Sequence, residues 1–365
     1  MRLLMIVSVF FIVVNSNGQT KEFILKGKIG SLGAPAKVYL RYALHDGPKI
    51  DSVTLKKGKF SFKGSVNEPV MASLFLSRDG NPIKWPYDEL MFYIDTCTVY
   101  FSSKDSMKNA VTSGSVLNAD LQRYDSLMEP LRKRFTQQAE GLAGREDRKQ
   151  DPVMIQLKQE MEAVNRRFIK DHPASLVSLN AIRYMGNDAS TVSAFDSLLI
   201  AYGGLDAGLR NSRKGEELLH SLNKKRILLP GMLAPDFSQP DSSGQAISLS
   251  SLRGRYVLVD FWASWCKPCR ADNKELVKVY AQFRDKNFTV FGVSVDTKRD
   301  AWLKAVKDDH LSWLQVSDLK KGNAAADLYQ ITGVPTTYLL DPDGVIVAKN
   351  IHGKALEELL RELLK

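Results

Sequence analysis

At 365 residues and a formal net charge of +10, the chain is too long for one typical hydrophobic core, and its length favours two or three domains. With 44% hydrophobic and 25% charged residues the composition is that of a folded globular protein, which excludes disorder and collagen-like repeats. The positive charge is spread through mixed-sign stretches such as "GREDRKQD", with no basic stripe and no glycine-rich phosphate loop, so neither nucleic-acid nor nucleotide binding is expected.

The chain opens "MRLLMIVSVFFIVVNSNGQT", with Arg2 followed by a mostly apolar run from Leu3 to Val14 and then small and polar residues. The run is shorter than the ~20 residues that span a bilayer. Ser16 and Gly18 suit the small positions before a cut near Gln19, so residues 1–18 read as a signal peptide, with an uncleaved anchor as the alternative. No cysteine follows the run, so a lipoprotein anchor is not expected. Export to the periplasm or cell envelope would place the chain where disulfides persist.

Residues 19–115 alternate apolar and polar side chains in short runs, including "KEFILKGKI", "AKVYLRY", "KFSFKGSV", "VMASLFL" and "TVYFSS", separated by turn residues. That pattern predicts an antiparallel β-sandwich-like domain. Over 116–228 the period lengthens. Leu117, Leu121, Tyr124, Leu127 and Leu131 would share one helical face, as would Val153, Leu157, Met161, Val164 and Phe168, which predicts a helical segment that packs and links. From 229 to 365 strands and helices alternate: "RYVLVDFW" as a buried strand, Pro268 to Arg284 as a helix, "FTVFGVSVD" as a strand, Asp300 to Asp309 as a helix. "LSWLQV", "TTYLLD" and "VIVAKN" follow as strands, and Ala355 to Leu364 as a closing helix. This is the signature of an α/β domain.

The chain has three cysteines, Cys97, Cys266 and Cys269, too few for a disulfide framework or a zinc site with four ligands, so no metal and no other cofactor is expected. "FWASWCKPCR" puts Cys266 and Cys269 where the first long strand passes into its helix. A sulfur at a helix N-terminus meets unpaired N–H groups and the positive end of the helix dipole, which lowers a thiol pKa from ~8.5 to between ~3.5 and ~7.5. Lys267 adds positive charge, and Pro268 fits the first turn, where its missing N–H costs little. Cys269, one turn further, would face the same side. Cys266 can then attack a substrate disulfide and Cys269 resolve the mixed disulfide, leaving a Cys266–Cys269 bond. A purely structural disulfide is the alternative, but so small a loop gives little entropic stabilisation. Asp260 interrupts an apolar strand, where aspartate is depleted. It reads either as an ion-paired core residue or as a buried acid that exchanges a proton with Cys269. Val334 and Pro335 precede a strand, and spacing alone makes Pro335 an ordinary strand-edge proline.

"VDFWASWCKPCR" with "GVPTTYLLDPDG" downstream resembles the thioredoxin fold. "LAPDFSQPDSSGQAISLSSLRGRYVLVDFWASWCKPC" resembles more closely the exported TlpA/ResA-like thiol–disulfide oxidoreductases, with an AhpC/TSA-like opening, over about Pro230 to Lys365. The β-rich and helical residues before it are similar to the extension that often precedes such domains in Gram-negative envelope proteins. The resemblance implies that Cys266 is the nucleophile and Cys269 the resolving thiol. It further implies that Asp260 is the buried acid, that Trp265 flanks the site, and that Val334 and Pro335 form a cis-proline dipeptide pairing with substrate. The chain departs from the family at Lys274, where related helices carry a kinking proline, and at Asp272, where exported relatives often have Glu. Cys97 has no counterpart and reads as a buried strand residue; exposure would favour a third redox thiol. His352 reads as a surface or capping residue.

These features predict an exported thiol–disulfide oxidoreductase acting on disulfide-containing exported proteins, most simply a reductase supplied by a membrane-embedded electron donor. A peroxidase of peroxiredoxin type is the second reading. Against it, Ala263 stands where peroxiredoxins place a Thr three residues before the reactive cysteine. A third is an assembly protein whose β-rich domain holds a partner.

Overall fold

A computed structural model describes residues 21–44, 47–81 and 87–365; the signal-peptide reading of 1–18 lies outside them. Among the described residues no helix is long and apolar enough to cross a membrane. The chain divides into two compact units between Ser178 and Leu179, inside the helical segment.

The first unit begins with eight strands, β1 (Lys21–Ile29), β2 (Lys37–Leu44), β3 (Gly47–Thr54), β4 (Lys59–Val66), β5 (Val70–Ser77), β6 (Glu89–Ile94), β7 (Thr98–Ser103) and β8 (Val111–Ser113). They form two four-stranded sheets, ordered β4-β1-β7-β8 and β3-β2-β5-β6. Alternation fixes the inner faces: Phe23, Leu25, Phe60, Phe62 and Phe101 from one sheet meet Val38, Leu40, Leu74 and Phe92 from the other in a single core. Fully burying each such side chain stabilises by about 1.5–3 kcal/mol. One pairing, β1 with β7, is parallel, while the rest are antiparallel. Of the intervening strands, β2, β3, β5 and β6 lie in the other sheet, while β4 pairs with the opposite edge of β1 from β7.

Ser115 caps α1 (Val116–Gly141), accepting from the Asn118 N–H at 3.2 Å. The buried face of α1 is Asn118, Leu121, Tyr124 and Met128, not the expected stripe through Leu127, which is 48% exposed. The helix is turned by a polar anchor. Asn118 is buried, accepting from the Tyr93 N–H and donating to the Tyr93 carbonyl, both at 2.8 Å, on β6. Asp151 caps α2 (Pro152–Asp171), whose buried face runs through Met154, Leu157 and Phe168, with Val153 outside. Tyr124 ties the two helices by donating to Asn165 Oδ1 at 2.7 Å.

The helices α3 (Leu176–Asp188), α4 (Val192–Gly203), α5 (Ala207–Arg210) and α6 (Arg213–Arg226) lead into the second unit. Its remaining elements are β9 (Ser238–Pro240), β10 (Ala246–Ser248), β11 (Tyr256–Trp262), α7 (Lys267–Phe283), β12 (Phe288–Ser294), α8 (Arg299–Asp308), β13 (Leu314–Val316), α9 (Ala324–Leu328), β14 (Thr336–Leu340), β15 (Ile346–Lys349) and α10 (Gly353–Leu363). The main sheet is ordered β13-β12-β11-β14-β15, with β11, β12 and β13 parallel and β14 and β15 antiparallel to their neighbours. Both faces are covered, so β11 and β12 read as continuous apolar runs. Leu258 and Trp262 face α7, α8 and α10, whereas Val257, Val259 and Phe261 face Tyr329 and the residues around α9. This is a thioredoxin-like domain, and its parallel strands end where α7 begins.

Candidate active site

Cys266 is the N-cap of α7, in extended conformation at φ −81° and ψ 98°, and its sulfur accepts from the Cys269 N–H at 3.2 Å. Pro268 occupies the first turn, as its fixed φ and missing donor favour. The two sulfurs form the Cys266–Cys269 disulfide, with Cα atoms 5.3 Å apart. Both cysteines are buried, at 4% and 1% exposure, while Trp265 beside them is 66% exposed and Lys267 and Pro268 face solvent. The opposite wall comes from far along the chain. Val334–Pro335 is a cis peptide, as the resemblance implied, and the Val334 carbonyl oxygen lies 3.5 Å from the Cys266 sulfur. Pairing of Thr336 with Phe261 sets that approach.

Asp260 shares a strand face with Leu258 and Trp262, beneath the disulfide. A cavity of about 20 Å³, room for one water, is lined by Asp260, Cys269, Asp272, Pro335 and His352 among others. Burial first, and the Asp272 carboxylate second, push the Asp260 pKa from 3.8 up to about 7.

Several residues that hold the site escaped the sequence reading. Asp296 is buried just past β12 and accepts from the Ser264 N–H at 2.8 Å, the Ser264 hydroxyl at 2.6 Å and the Ser294 hydroxyl at 2.7 Å, fixing the loop that delivers Cys266. Arg270 forms a two-pronged pair with Asp309, which also accepts from Asn273 at 2.9 Å. Burial alone would raise Asp309, but the hydrogen bonds from Arg270 and Asn273 and the guanidinium charge hold it below the usual carboxylate range. Of these, only Asp296 carried a positional signal, as a polar side chain just past a buried parallel strand, at the sheet end where Cys266 sits.

Cys97 differs from its expected place. It lies in the turn between β6 and β7, partly exposed, its thiol donating to the Gly114 carbonyl at 3.4 Å, and burial and Asp95 raise its pKa. The backbone of His352 caps α10, but its side chain makes no capping bond and places Nδ1 3.4 Å from Asp272. Without a proline at Lys274, α7 runs unbroken from Lys267 to Phe283.

A cysteine pair at a helix N-terminus, facing a cis-proline loop over a buried acid in a thioredoxin-like sheet, defines a thiol–disulfide oxidoreductase. Residues 230–349 match the AhpC/TSA family, and residues 23–121 match a domain of unknown function, DUF4369. The chain is 36% identical over 141 residues to the thioredoxin-like protein YneN of Bacillus subtilis, covering 38% of this chain and 80% of that one. It is 31% identical over 129 residues to the thiol-disulfide oxidoreductase ResA of Bacillus cereus, covering 35% of this chain and 73% of that one. Among solved structures, a thiol-disulfide oxidoreductase from Bacteroides fragilis is 43% identical, with a TM-score of 0.35, over 36% of this chain and 99% of that one. The chain belongs to the ResA-type family of thiol–disulfide oxidoreductases.

Proposed function

We propose that this oxidoreductase works in the cell envelope, reducing disulfides of exported proteins with electrons from a membrane-embedded donor. The observation that carries the reading is Cys266 at the N-terminus of α7 with the Val334 carbonyl beside its sulfur. In the reduced protein, the helix N-terminus and the Cys269 N–H stabilise the Cys266 thiolate. Cys266 attacks the substrate disulfide, and the backbone at Val334 and Pro335 pairs with the extended segment around it. Trp265, Lys267 and Pro268 border that surface. Cys269 then loses its proton to Asp260 and attacks the Cys266 sulfur. The substrate leaves as a thiolate, and the pair becomes the disulfide present in the structure. The apolar run at 3–14 supports export, and exported proteins would be the disulfides encountered.

Equilibration with glutathione and dithiothreitol buffers tests the direction. A couple near the thioredoxin end, about −270 mV, is expected; one near about −120 mV would make the protein an oxidant of thiols instead. The AhpC/TSA match favours a second reading as a thiol peroxidase. Fully buried Ala263, three residues before Cys266, supplies no hydroxyl to a peroxide, and turnover of hydrogen peroxide with a reductant decides between the two.

A further inference from the structure

We propose that His352, paired with Asp272, is the outlet by which the proton lost from Cys269 leaves the buried cavity, an inference that rests on the oxidoreductase reading above.

The resolving step creates a proton in a place without bulk water. Cys269 is 1% exposed and Asp260 5% exposed, and the cavity they line has room for about one water. As Cys269 attacks, its sulfur electron pair forms the bond to Cys266, the bond from Cys266 to the substrate breaks, and the substrate sulfur departs with that pair. The thiol proton goes to Asp260, which must hand it on as the attack completes, so the rate of resolution depends on the way out.

The cavity wall offers one way out. Its titratable members are Cys269, Asp260, Asp272 and His352. The polar neighbours are committed elsewhere: the Asn273 amide donates to Asp309, and the Thr337 hydroxyl donates to the Ile351 carbonyl and accepts from its N–H. Lys349 lies over the Tyr338 ring, on the far face of the sheet. Asp272 and His352 reach from the cavity to solvent, with side chains 45% and 32% exposed and 3.4 Å between Asp272 Oδ2 and His352 Nδ1. The proton passes from Asp260 across the cavity, which has room for one water, to Asp272, then to the His352 imidazole, and then to bulk water. His352 acts through Asp272 and does not touch the sulfurs.

The test uses the reduced full chain with Cys97→Ser, mixed rapidly with dithionitrobenzoate. The first coloured thiolate marks attack by Cys266 and the second marks resolution by Cys269. In His352→Ala the first release is expected to be unchanged and the second slowed roughly tenfold, less than the ~10²–10⁴ of a direct general base because Asp260 still takes the proton. Millimolar imidazole should restore the variant and leave the parent unaffected. His352→Gln, which keeps a hydrogen bond to Asp272 but cannot carry the proton, should stay slow. A second release within twofold of the parent in His352→Ala, a normal rate in His352→Gln, or a slow variant that imidazole does not restore would each overturn the outlet. Absence of two sequential releases in the parent would remove the oxidoreductase reading itself.

Discussion

Asp260 gives the sharpest test of the site's electrostatics. Its carboxyl titrates near 3.8 in the unfolded chain and at about 7 in the folded one, with burial the larger cause and Asp272 the smaller. An acid with a raised folded pKa has no effect on stability below its unfolded pKa. Between the two values the unfolded state ionises and the native state does not, so stability falls as pH rises, and the loss levels off above the folded value. At 1.36 kcal/mol per pH unit, Asp260 costs about 2 kcal/mol at pH 5 and about 4 kcal/mol at pH 8. Replacing it by Asn, close in shape and uncharged, should therefore stabilise the second unit, with a gain roughly 2–3 kcal/mol larger at pH 8 than at pH 5. The assay is urea unfolding of the oxidised protein at both pH values, followed by tryptophan fluorescence. Trp262, Trp265, Trp302 and Trp313, four of the five tryptophans, belong to the second unit, so the signal reports its transition. Parallel pH dependence in parent and variant would refute the reasoning. The same variant should slow the second thiolate release by ~10² or more, because Cys269 loses its proton acceptor.

Cys269→Ser should accumulate a mixed disulfide on Cys266, visible as a substrate adduct in the intact mass, and Cys266→Ser should accumulate none. Asp272→Asn removes the smaller cause of the Asp260 shift, so the Asp260 titration followed by carboxyl NMR should move to lower pH; no movement would assign the shift to burial alone. Arg270→Ala leaves the Asp309 carboxylate, its side chain 8% exposed, short of its charged donor, and should destabilise the second unit by about 2 kcal/mol in urea unfolding.

The chemistry of the site was legible because it is local in sequence. Strand, loop and helix N-terminus follow one another from Tyr256 to Phe283, and a lone aspartate in an apolar run announces burial. What was not legible depends on which strands become neighbours. Asp296 and Asp309 look like ordinary surface acids in the sequence, and only the parallel pairing of β12 with β11 brings Asp296 under the Ser264 loop. Periodicity likewise reported which faces of β1 and β7 are apolar, but carried nothing about their parallel pairing. For α1, a hydrophobicity pattern could not register that its buried face contains Asn118, since that residue is selected by the Tyr93 backbone opposite it.

The Asn118 anchor also determines where this chain can be cut. β6 closes one sheet, and a strand in that position exposes a row of unsatisfied backbone groups to any passing extended segment. By answering both the N–H and the carbonyl of Tyr93, Asn118 stands in for the next strand there and ends the sheet. A fragment stopping at Ser115 would reopen that edge and invite self-association between copies, while the complementary fragment would begin with two helices stripped of their sheet. Ending the first fragment in the short link between α2 and α3, next to the division of the two units, keeps strand and stopper on one polypeptide and severs no helix, which makes it the sounder border for asking what each half does alone.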